Sequence, residues 1–162
     1  MAVYGYHRVS TKDQRTDRGV FEIEQYVKAV GMVLAGEVFC DKITGKKFDR
    51  PEYNFIKNRI MPGDTLIITE MDRLGRNKVQ ILKELQFFRG KGVRVIILEI
   101  PTTQINYSGM DSSMAKMIME AVNNMLVEMY AVFAQAEIEK KEKRQREGIE
   151  SKKRNGEWDD YG

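Results

Sequence analysis

The chain has 162 residues, 42% hydrophobic and 31% charged, with a formal net charge of +3, which predicts one folded domain with a real core and excludes a disordered chain. The sequence holds no apolar run long enough to span a bilayer and no signal-peptide pattern, so we expect a cytoplasmic protein without a membrane partner. Cys40 and His7 are the only residues of their kinds, which excludes an internal disulfide and the usual Cys- or His-based metal sites, and we expect both to be structural.

The first predicted element is a strand that runs from Tyr4 to Ser10 and ends in a polar turn. Because strand side chains alternate, Tyr6, Arg8 and Ser10 are expected on one face and His7 on the other. Arginine can hold a phosphate through two parallel hydrogen bonds, and a hydroxyl beside it could attack the phosphorus. The alternative on this stretch alone is that Ser10 caps the next helix and Arg8 is a surface charge.

Helices and strands are predicted to alternate from the first strand as far as residue 100. The predicted helices cover residues 17–30, 51–60 and about 78–89, and the predicted strands cover 32–40, 65–69 and 93–100, with a loop at 41–50. This order predicts right-handed crossovers and an α/β fold, a layered sheet of about four to five mainly parallel strands with flanking helices.

Polar residues follow three of these strands. Ligands of open α/β sheets bind at the carboxyl ends of the strands, so residues at these ends are expected to meet. Together they predict a hydroxyl nucleophile among four guanidiniums with carboxylates nearby, which suits a phosphoryl transition state. The residues are Arg8 and Ser10 from the first strand, Asp41 and Arg50 around the second, and Asp72, Arg73 and Arg76 after the third.

A long helix is predicted for residues 112–154, after a polar loop that begins at Pro101. At 1.5 Å per residue it would reach about 60 Å, beyond the width of a small domain. We therefore expect an oligomerisation helix whose far half packs on a partner, with ordinary core packing as the alternative for part of it. The domain division is a core at 1–111, this helix at 112–154, and a hinge or tail at 155–162.

The positive charge is concentrated near the end of this helix. Residues 137–154 contain eight Lys or Arg against five Glu, and the difference equals the net charge of the whole chain. We expect Lys140, Lys141, Lys143 and Arg144 to contact a phosphate backbone. The alternative is a solvated helix with ion pairs between neighbouring turns.

These motifs resemble the catalytic domain of the serine recombinases, the resolvase/invertase family, over most of the chain. The resemblance is carried by Tyr-His-Arg-Val-Ser-Thr at 6–11, Gln14, Asp-Lys at 41–42 with Gly45 and Asp49-Arg50, Asp-Arg-Leu-Gly-Arg at 72–76, and Ala-Gln-Ala-Glu at 134–137. It implies an enzyme of the resolvase, invertase, integrase or transposase type. Ser10 would attack a DNA phosphodiester and form a 5′-phosphoserine link, with no metal or nucleotide cofactor.

The resemblance also implies a role for each candidate site residue. Arg8, Arg50, Arg73 and Arg76 would hold the phosphate. Asp72 would transfer a proton or orient these arginines. Gln14 and Asp41 would assist, and Tyr6 and Glu137 would be supporting residues.

For the long helix, the resemblance implies a homodimer interface, a crossing of the DNA minor groove, and a synaptic homotetramer. Family members usually carry an acid–arginine pair here, whereas Glu137 is followed by Ile138, and Lys140 or Lys141 could supply the charge. Members also carry a further DNA-binding domain, so we expect this chain to be the catalytic part of a longer protein. Two other functions stay open, a non-catalytic DNA-binding or oligomerisation module and a serine-dependent phosphoesterase.

Overall fold

The computed structural model describes residues 1–10, 16–43, 49–106 and 112–154. A four-stranded sheet forms the centre, with strand order β2-β1-β3-β4 and parallel pairing throughout. The strands are β1 (Val3–Ser10), β2 (Phe39–Ile43), β3 (Thr65–Ile68) and β4 (Arg94–Ile97). The predicted parallel α/β sheet is therefore confirmed, and the carboxyl end of β1 lies between the ends of β2 and β3.

Helices cover both faces of the sheet. They are α1 (Thr16–Val30), α2 (Pro51–Arg59), α3 (Lys78–Gly90) and α4 (Ser113–Arg154), with short 3-10 helices at Met71–Arg73 and Pro101–Gln104. One face packs Ile23 and Val27 of α1 against Ile67 and Ile96. The other face carries the larger core, built from α2, α3 and the middle of α4. These two apolar layers hold the strand ends in fixed relative positions.

The alternation predicted for β1 is confirmed where side chains are described. His7 is buried on the α1 face, 3.4 Å from the Thr69 hydroxyl. A Cβ at Gly19 would overlap the His7 ring, so only glycine lets α1 approach the strand this closely. Tyr6 and Arg8 project to the opposite face, toward α2 and the 3-10 helix at 71–73. The face that carries Arg8 is therefore separated from His7 by the sheet.

The second strand was placed wrongly from the sequence. The predicted strand at 32–40 turns at Gly36, whose φ of +89° is left-handed, and the Ala35 N–H donates to the Val3 carbonyl outside the regular β1–β2 pairing. Its apolar side chains pack irregularly against the α1 layer. Pairing with β1 instead begins at Phe39, opposite Tyr6, and Asp41, expected in a loop, lies inside the strand opposite Arg8.

The predicted long helix is confirmed as α4, which has 42 residues. Its middle is anchored to the body, because Val127 and Ala131 are buried and Gln135 Oε1 accepts the Lys78 backbone N–H at 3.0 Å. Other large apolar side chains along it are exposed. They are Met114, Met117, Ile118, Val122, Met125, Met129, Val132, Phe133 and Ile149. Within the ranges that the structure describes, no helix combines the length and apolar character needed to cross a bilayer.

Candidate active site

The predicted convergence of strand ends is present. Arg8 Nη2 donates a 2.8 Å hydrogen bond to the backbone carbonyl of Asp72. Arg50 Nη1 donates a 2.9 Å hydrogen bond to the carbonyl of Arg73. Both acceptors belong to the 3-10 helix that follows β3, and the two guanidiniums come from β1 and from the start of α2. The structure thus brings arginines from two chain segments to a third one.

Arg8 is half-buried beside further charges. Burial lowers the pKa of its guanidinium, the Asp72 carboxylate opposes that effect, and Arg73 adds to it. Arginine nevertheless keeps its proton in proteins. A cation held in a partly desolvated setting attracts an anion more strongly than one in water does.

Asp41 organises the neighbouring segment. Its carboxylate accepts the backbone N–H groups of Glu52 and Tyr53, each at 3.0 Å, in the first turn of α2. It also accepts the Tyr6 hydroxyl at 2.9 Å. A carboxylate here accepts backbone N–H groups that have no partner within the helix, and its negative charge interacts favourably with the positive end of the helix dipole. Asp41 was expected to assist at the site, and in the structure its carboxylate caps the start of α2.

Tyr6 is fully buried beneath this contact, and its ring lies 5.1 Å from that of Tyr53. Burial raises the pKa of the Tyr6 hydroxyl well above its usual range, and the Asp41 carboxylate raises it further. The phenol is therefore a neutral hydrogen-bond donor, consistent with the supporting role expected for it.

Asp72 and Arg73 face each other on the 3-10 helix. Arg73 Nε lies 3.8 Å from Asp72 Oδ1, and Arg73 Nη2 lies 3.7 Å from Glu70 Oε2. These distances give charge attraction but not hydrogen bonds. Both Arg73 Nε and Asp72 Oδ1 are buried and make no hydrogen bond within the described ranges. Buried polar atoms are normally paired, so these two atoms retain the capacity to bind a ligand.

Arg76 lies at the margin of this arrangement. Its side chain is exposed on the turn before α3, and its backbone N–H donates to Gln80 Oε1 at 2.7 Å. The structure does not bring it into the buried set with Arg8 and Arg50. Ser10 is the last residue of β1, with its backbone opposite Ile43, but its side chain and the whole of Gln14 lie outside the described residues.

A cavity of about 320 Å³ opens between the 3-10 helix at Met71–Arg73 and α4. Its acidic lining includes Glu99, which no sequence pattern singled out even though it stands two residues after β4. Glu99 Oε1 accepts the Met71 backbone N–H at 2.8 Å, and burial raises the pKa of its carboxyl. The cavity is lined by Glu70, Asp72, Glu99, Tyr130, Phe133, Ala134, Glu137, Ile138 and Lys141.

Glu137, the supporting residue expected on α4, lines this cavity and lies 3.6 Å from the ammonium of Lys140. Ile138, at the position where the resemblance implies an arginine, contributes an apolar wall, and Lys141 lines the same cavity. A lysine therefore lines the cavity that holds Ile138, as expected if Lys141 supplies the charge of the arginine that the resemblance implies.

The four basic residues expected to bind DNA lie on exposed turns of α4. Two of them make ion pairs, Lys140 with Glu137 at 3.6 Å and Lys143 with Glu147 at 3.9 Å. Exposed pairs of this kind contribute little stability and exchange readily for another anion. The ion pairs of the solvated-helix alternative are therefore present, and they leave the positive charge accessible.

A second buried network was missed from the sequence. Tyr53, predicted only as a core aromatic, donates its hydroxyl to Glu84 on α3, and Lys57 lies 2.9 Å from the same carboxylate. Glu84 lies 31 positions from Tyr53 in the sequence, so no local motif could reveal the network. The described part of the chain contains no group of three His, Cys, Asp or Glu side chains arranged to hold a metal ion. Chemistry without a cofactor stays a prediction.

Comparison with known proteins identifies the family. The family model described as "Resolvase, N terminal domain" matches residues 3–158. The Transposon Tn501 resolvase of Pseudomonas aeruginosa is 32% identical over 152 residues, which cover 94% of this chain and 70% of that protein. Serine recombinase gin of Escherichia phage Mu is 35% identical over 91 residues, which cover 55% of this chain and 42% of that protein.

The solved structures agree on the fold. A resolvase family site-specific recombinase from Streptococcus pneumoniae has a TM-score of 0.51 and 21% identity, with 95% of this chain and 99% of that chain covered. The α/β sheet with its long helix is thus the fold of that resolvase family recombinase. This chain belongs to the resolvase family and is a site-specific recombinase catalytic domain, as the resemblance predicted. The family acts on DNA.

Proposed function

We propose that this chain cuts and rejoins DNA by transesterification, with Ser10 as the nucleophile. The observation that carries the proposal is that two arginines from separate segments donate to successive carbonyls, those of Asp72 and Arg73, beside the strand that ends at Ser10. A scissile phosphate at this strand end would meet guanidiniums already held in place. Preorganised charge of this kind stabilises the equatorial oxygens of a phosphoryl transition state.

The reaction balances without an external reactant. The Ser10 hydroxyl loses its proton as its oxygen bonds to phosphorus, and the bond from phosphorus to the 3′ oxygen breaks. The leaving oxygen takes up a proton and becomes a free 3′-hydroxyl, while the 5′-phosphate stays on the serine. Attack by a 3′-hydroxyl on this phosphoserine reverses the steps and rejoins the strand.

The arginines and Asp72 have distinct roles in this proposal. Arg8 and Arg50 hold the phosphate, and Arg73 uses its buried Nε for the same anion. The 3.8 Å separation of Asp72 Oδ1 from Arg73 Nε supports orientation of Arg73 as the main role of Asp72. The exposed Arg76 would reach the phosphate only once DNA is bound. Gln14 and Glu137 keep the supporting roles that the resemblance implies.

Assembly and DNA contact are assigned to α4. Its exposed apolar side chains support a homodimer, and a synaptic homotetramer would bring two DNA sites together. Lys140, Lys141, Lys143 and Arg144 would follow the phosphate backbone of double-stranded DNA. A cytoplasmic location follows from the DNA substrate, and it stays a prediction.

The test is covalent capture on DNA. The protein, as its gene encodes it, is incubated with sheared genomic DNA of its source, and SDS-resistant protein–DNA adducts are collected on filters. We expect adducts blocked at the 5′ end and sensitive to a 3′-exonuclease. Adducts should be absent in Ser10→Ala, and its fold and DNA binding should be those of the parent.

Each alternative has its own outcome. Adducts that persist in Ser10→Ala would refute Ser10 as the nucleophile. DNA binding without any adduct would favour the non-catalytic module. Ser10-dependent release of p-nitrophenol from p-nitrophenyl phosphate would favour the phosphoesterase.

A further inference from the structure

Arg50 is held on an aromatic face. Its guanidinium carbon lies 3.8 Å from the centroid of the Tyr53 ring, and the Arg50 side chain is only 5% exposed. Stacking on a ring attracts the cation, and it fixes the plane of the guanidinium. The hydrogen bond from Nη1 to the Arg73 carbonyl then fixes its rotation within that plane. Two contacts thus define where the remaining N–H groups of Arg50 point.

The Tyr53 ring is held in place by a hydrogen bond from its hydroxyl. Tyr53 is 1% exposed, and its hydroxyl donates to Glu84 Oε2 at 2.5 Å. Lys57 lies 2.9 Å from the same oxygen, so the carboxylate is paired with a cation and a donor. The hydroxyl therefore anchors the end of the ring that is remote from the backbone, while the Asp41 contact anchors the Tyr53 backbone N–H.

The buried network of Tyr53, Glu84 and Lys57 contributes little net free energy to folding. Glu84 is 8% exposed, and taking a carboxylate and an ammonium out of water offsets much of their attraction. Apolar side chains of similar volume commonly stabilise such a site equally well. What the polar network adds is a unique orientation of the Tyr53 ring, the surface on which Arg50 rests.

We propose that Tyr53 is a positioning residue for the recombination reaction, setting the plane of the Arg50 guanidinium, with Glu84 and Lys57 locking its ring. The proposal rests on the proposed function, because it assigns Arg50 to the scissile phosphate. Tyr53 touches Arg50 and not the reacting atoms. Its effect therefore falls on the rate of cleavage rather than on DNA affinity.

The test compares Tyr53→Leu with Tyr53→Phe. Tyr53→Leu removes the ring, and we expect adduct formation to slow on the order of 10- to 100-fold, since small misplacements of a catalytic group cost this much. Tyr53→Phe keeps an aromatic face beneath Arg50 but loses the hydroxyl bond to Glu84, so it should slow adduct formation severalfold and less than Tyr53→Leu does. DNA affinity, measured by fluorescence anisotropy, should be unchanged in both variants.

Phe88→Leu is the matched control. Phe88 is fully buried, and its ring contacts Tyr53 edge-on at 6.3 Å, but it does not support Arg50. It should lower the melting temperature and leave the adduct rate unchanged. A loss of rate in Phe88→Leu as large as that in Tyr53→Leu would show a merely structural role and overturn the proposal, as would a parental rate in Tyr53→Leu.

NMR separates this proposal from the proposed function. The Tyr53 ring current should shift the Arg50 side-chain signals in the parent and in Tyr53→Phe, and the shift should be lost in Tyr53→Leu, whether or not DNA is cleaved. Absence of adducts in the parent would count against the proposed function, whereas absence of the ring-current shift would count against the positioning of Arg50.

Glu84 variants keep the test decisive if Tyr53→Leu does not fold. Glu84→Leu removes the acceptor of the Tyr53 hydroxyl and should slow adduct formation severalfold. Glu84→Gln keeps an acceptor and should restore most of the rate. A parental rate in Glu84→Leu would overturn the locking role.

Discussion

The Tyr6 hydroxyl donates a 2.9 Å hydrogen bond to the carboxylate of Asp41, which also accepts two backbone N–H groups at the start of α2. β1, β2 and α2 are therefore joined at a single side chain. Arg50 immediately precedes α2, so its place at the strand ends depends on this carboxylate. If Arg50 holds the scissile phosphate as proposed, Asp41 acts on that site through the helix that it caps.

Asp41→Asn tests this dependence. The amide of asparagine has the shape of the carboxylate, but its NH₂ group would face hydrogen-bond donors that the carboxylate accepts. We therefore expect the free energy of unfolding to fall by about 2 kcal/mol. For a chain of this length that corresponds to a fall in melting temperature of roughly 4 to 8 °C. Adduct formation should fall as well, because Arg50 shifts. Asp49→Asn, an exposed change two residues before α2, is the control, and an unchanged melting temperature in Asp41→Asn would contradict the capping role.

The raised pKa of the Glu99 carboxyl predicts that the stability of the fold depends on pH. Burial raises the pKa of its carboxyl in the folded state, with Glu70 and Asp72 adding to the rise and both Arg73 and the Met71 backbone N–H opposing it. From α4, Glu137 and Lys141 line the same cavity. A raised carboxyl pKa means that stability is fully present below the unfolded value and is lost as the pH rises through the folded value.

Glu99→Gln should therefore be more stable than the parent at pH 7, by on the order of 2 °C in melting temperature. The difference should vanish below about pH 4, where the carboxyl is largely protonated in both the folded and the unfolded parent. Thermal melts across this range measure it. Glu24→Gln, at an exposed site on α1, should show no such trend. An advantage for Glu99→Gln that grows on acidification would have the wrong sign.

The basic turns of α4 are expected to dominate the salt dependence of DNA binding. Replacing Lys140, Lys141, Lys143 and Arg144 by alanine should weaken binding and flatten the slope of log K against log salt, by about 0.9 for each phosphate that the variant no longer neutralises. Fluorescence anisotropy at several salt concentrations measures the slope. Lys28→Ala on α1 should leave it unaltered, and a parental slope in the fourfold variant would refute the role of these residues in DNA binding.

The exposed apolar face of α4 is expected to hold two copies together. Met125 is 56% exposed and Met129 is 46% exposed, so a glutamate at each position should bring unpaired charge into the interface and yield a monomer. Analytical ultracentrifugation measures the mass. Val79→Glu, at a 77% exposed position on α3, should leave the oligomer intact. A parental mass in the double variant would place the interface elsewhere.

Local patterns in the sequence were enough to predict the parallel sheet, the long helix and the approach of Arg8, Arg50 and Arg73 to one another at the strand ends, whereas Arg76, expected with them, lies exposed at the margin. Alternation placed Tyr6 and Arg8 on one face of β1, and a nearly continuous apolar run predicted the buried β3 before Asp72 and Arg73. These features depend on neighbours in the chain, so periodicity reveals them.

Contacts between distant segments were decided only by the tertiary structure. The register of β2 moved Asp41 into a strand, because the turn at Gly36 delays pairing with β1 until Phe39. The hydrogen bonds of Tyr6 to Asp41 and of Tyr53 to Glu84 join residues 35 and 31 positions apart. The bond from Arg50 to the Arg73 carbonyl, which fixes the guanidinium on the Tyr53 ring, spans 23 positions. Such contacts arise from packing, and no local pattern encodes them. Composition and motif thus identify the family, while packing determines how its arginines are held.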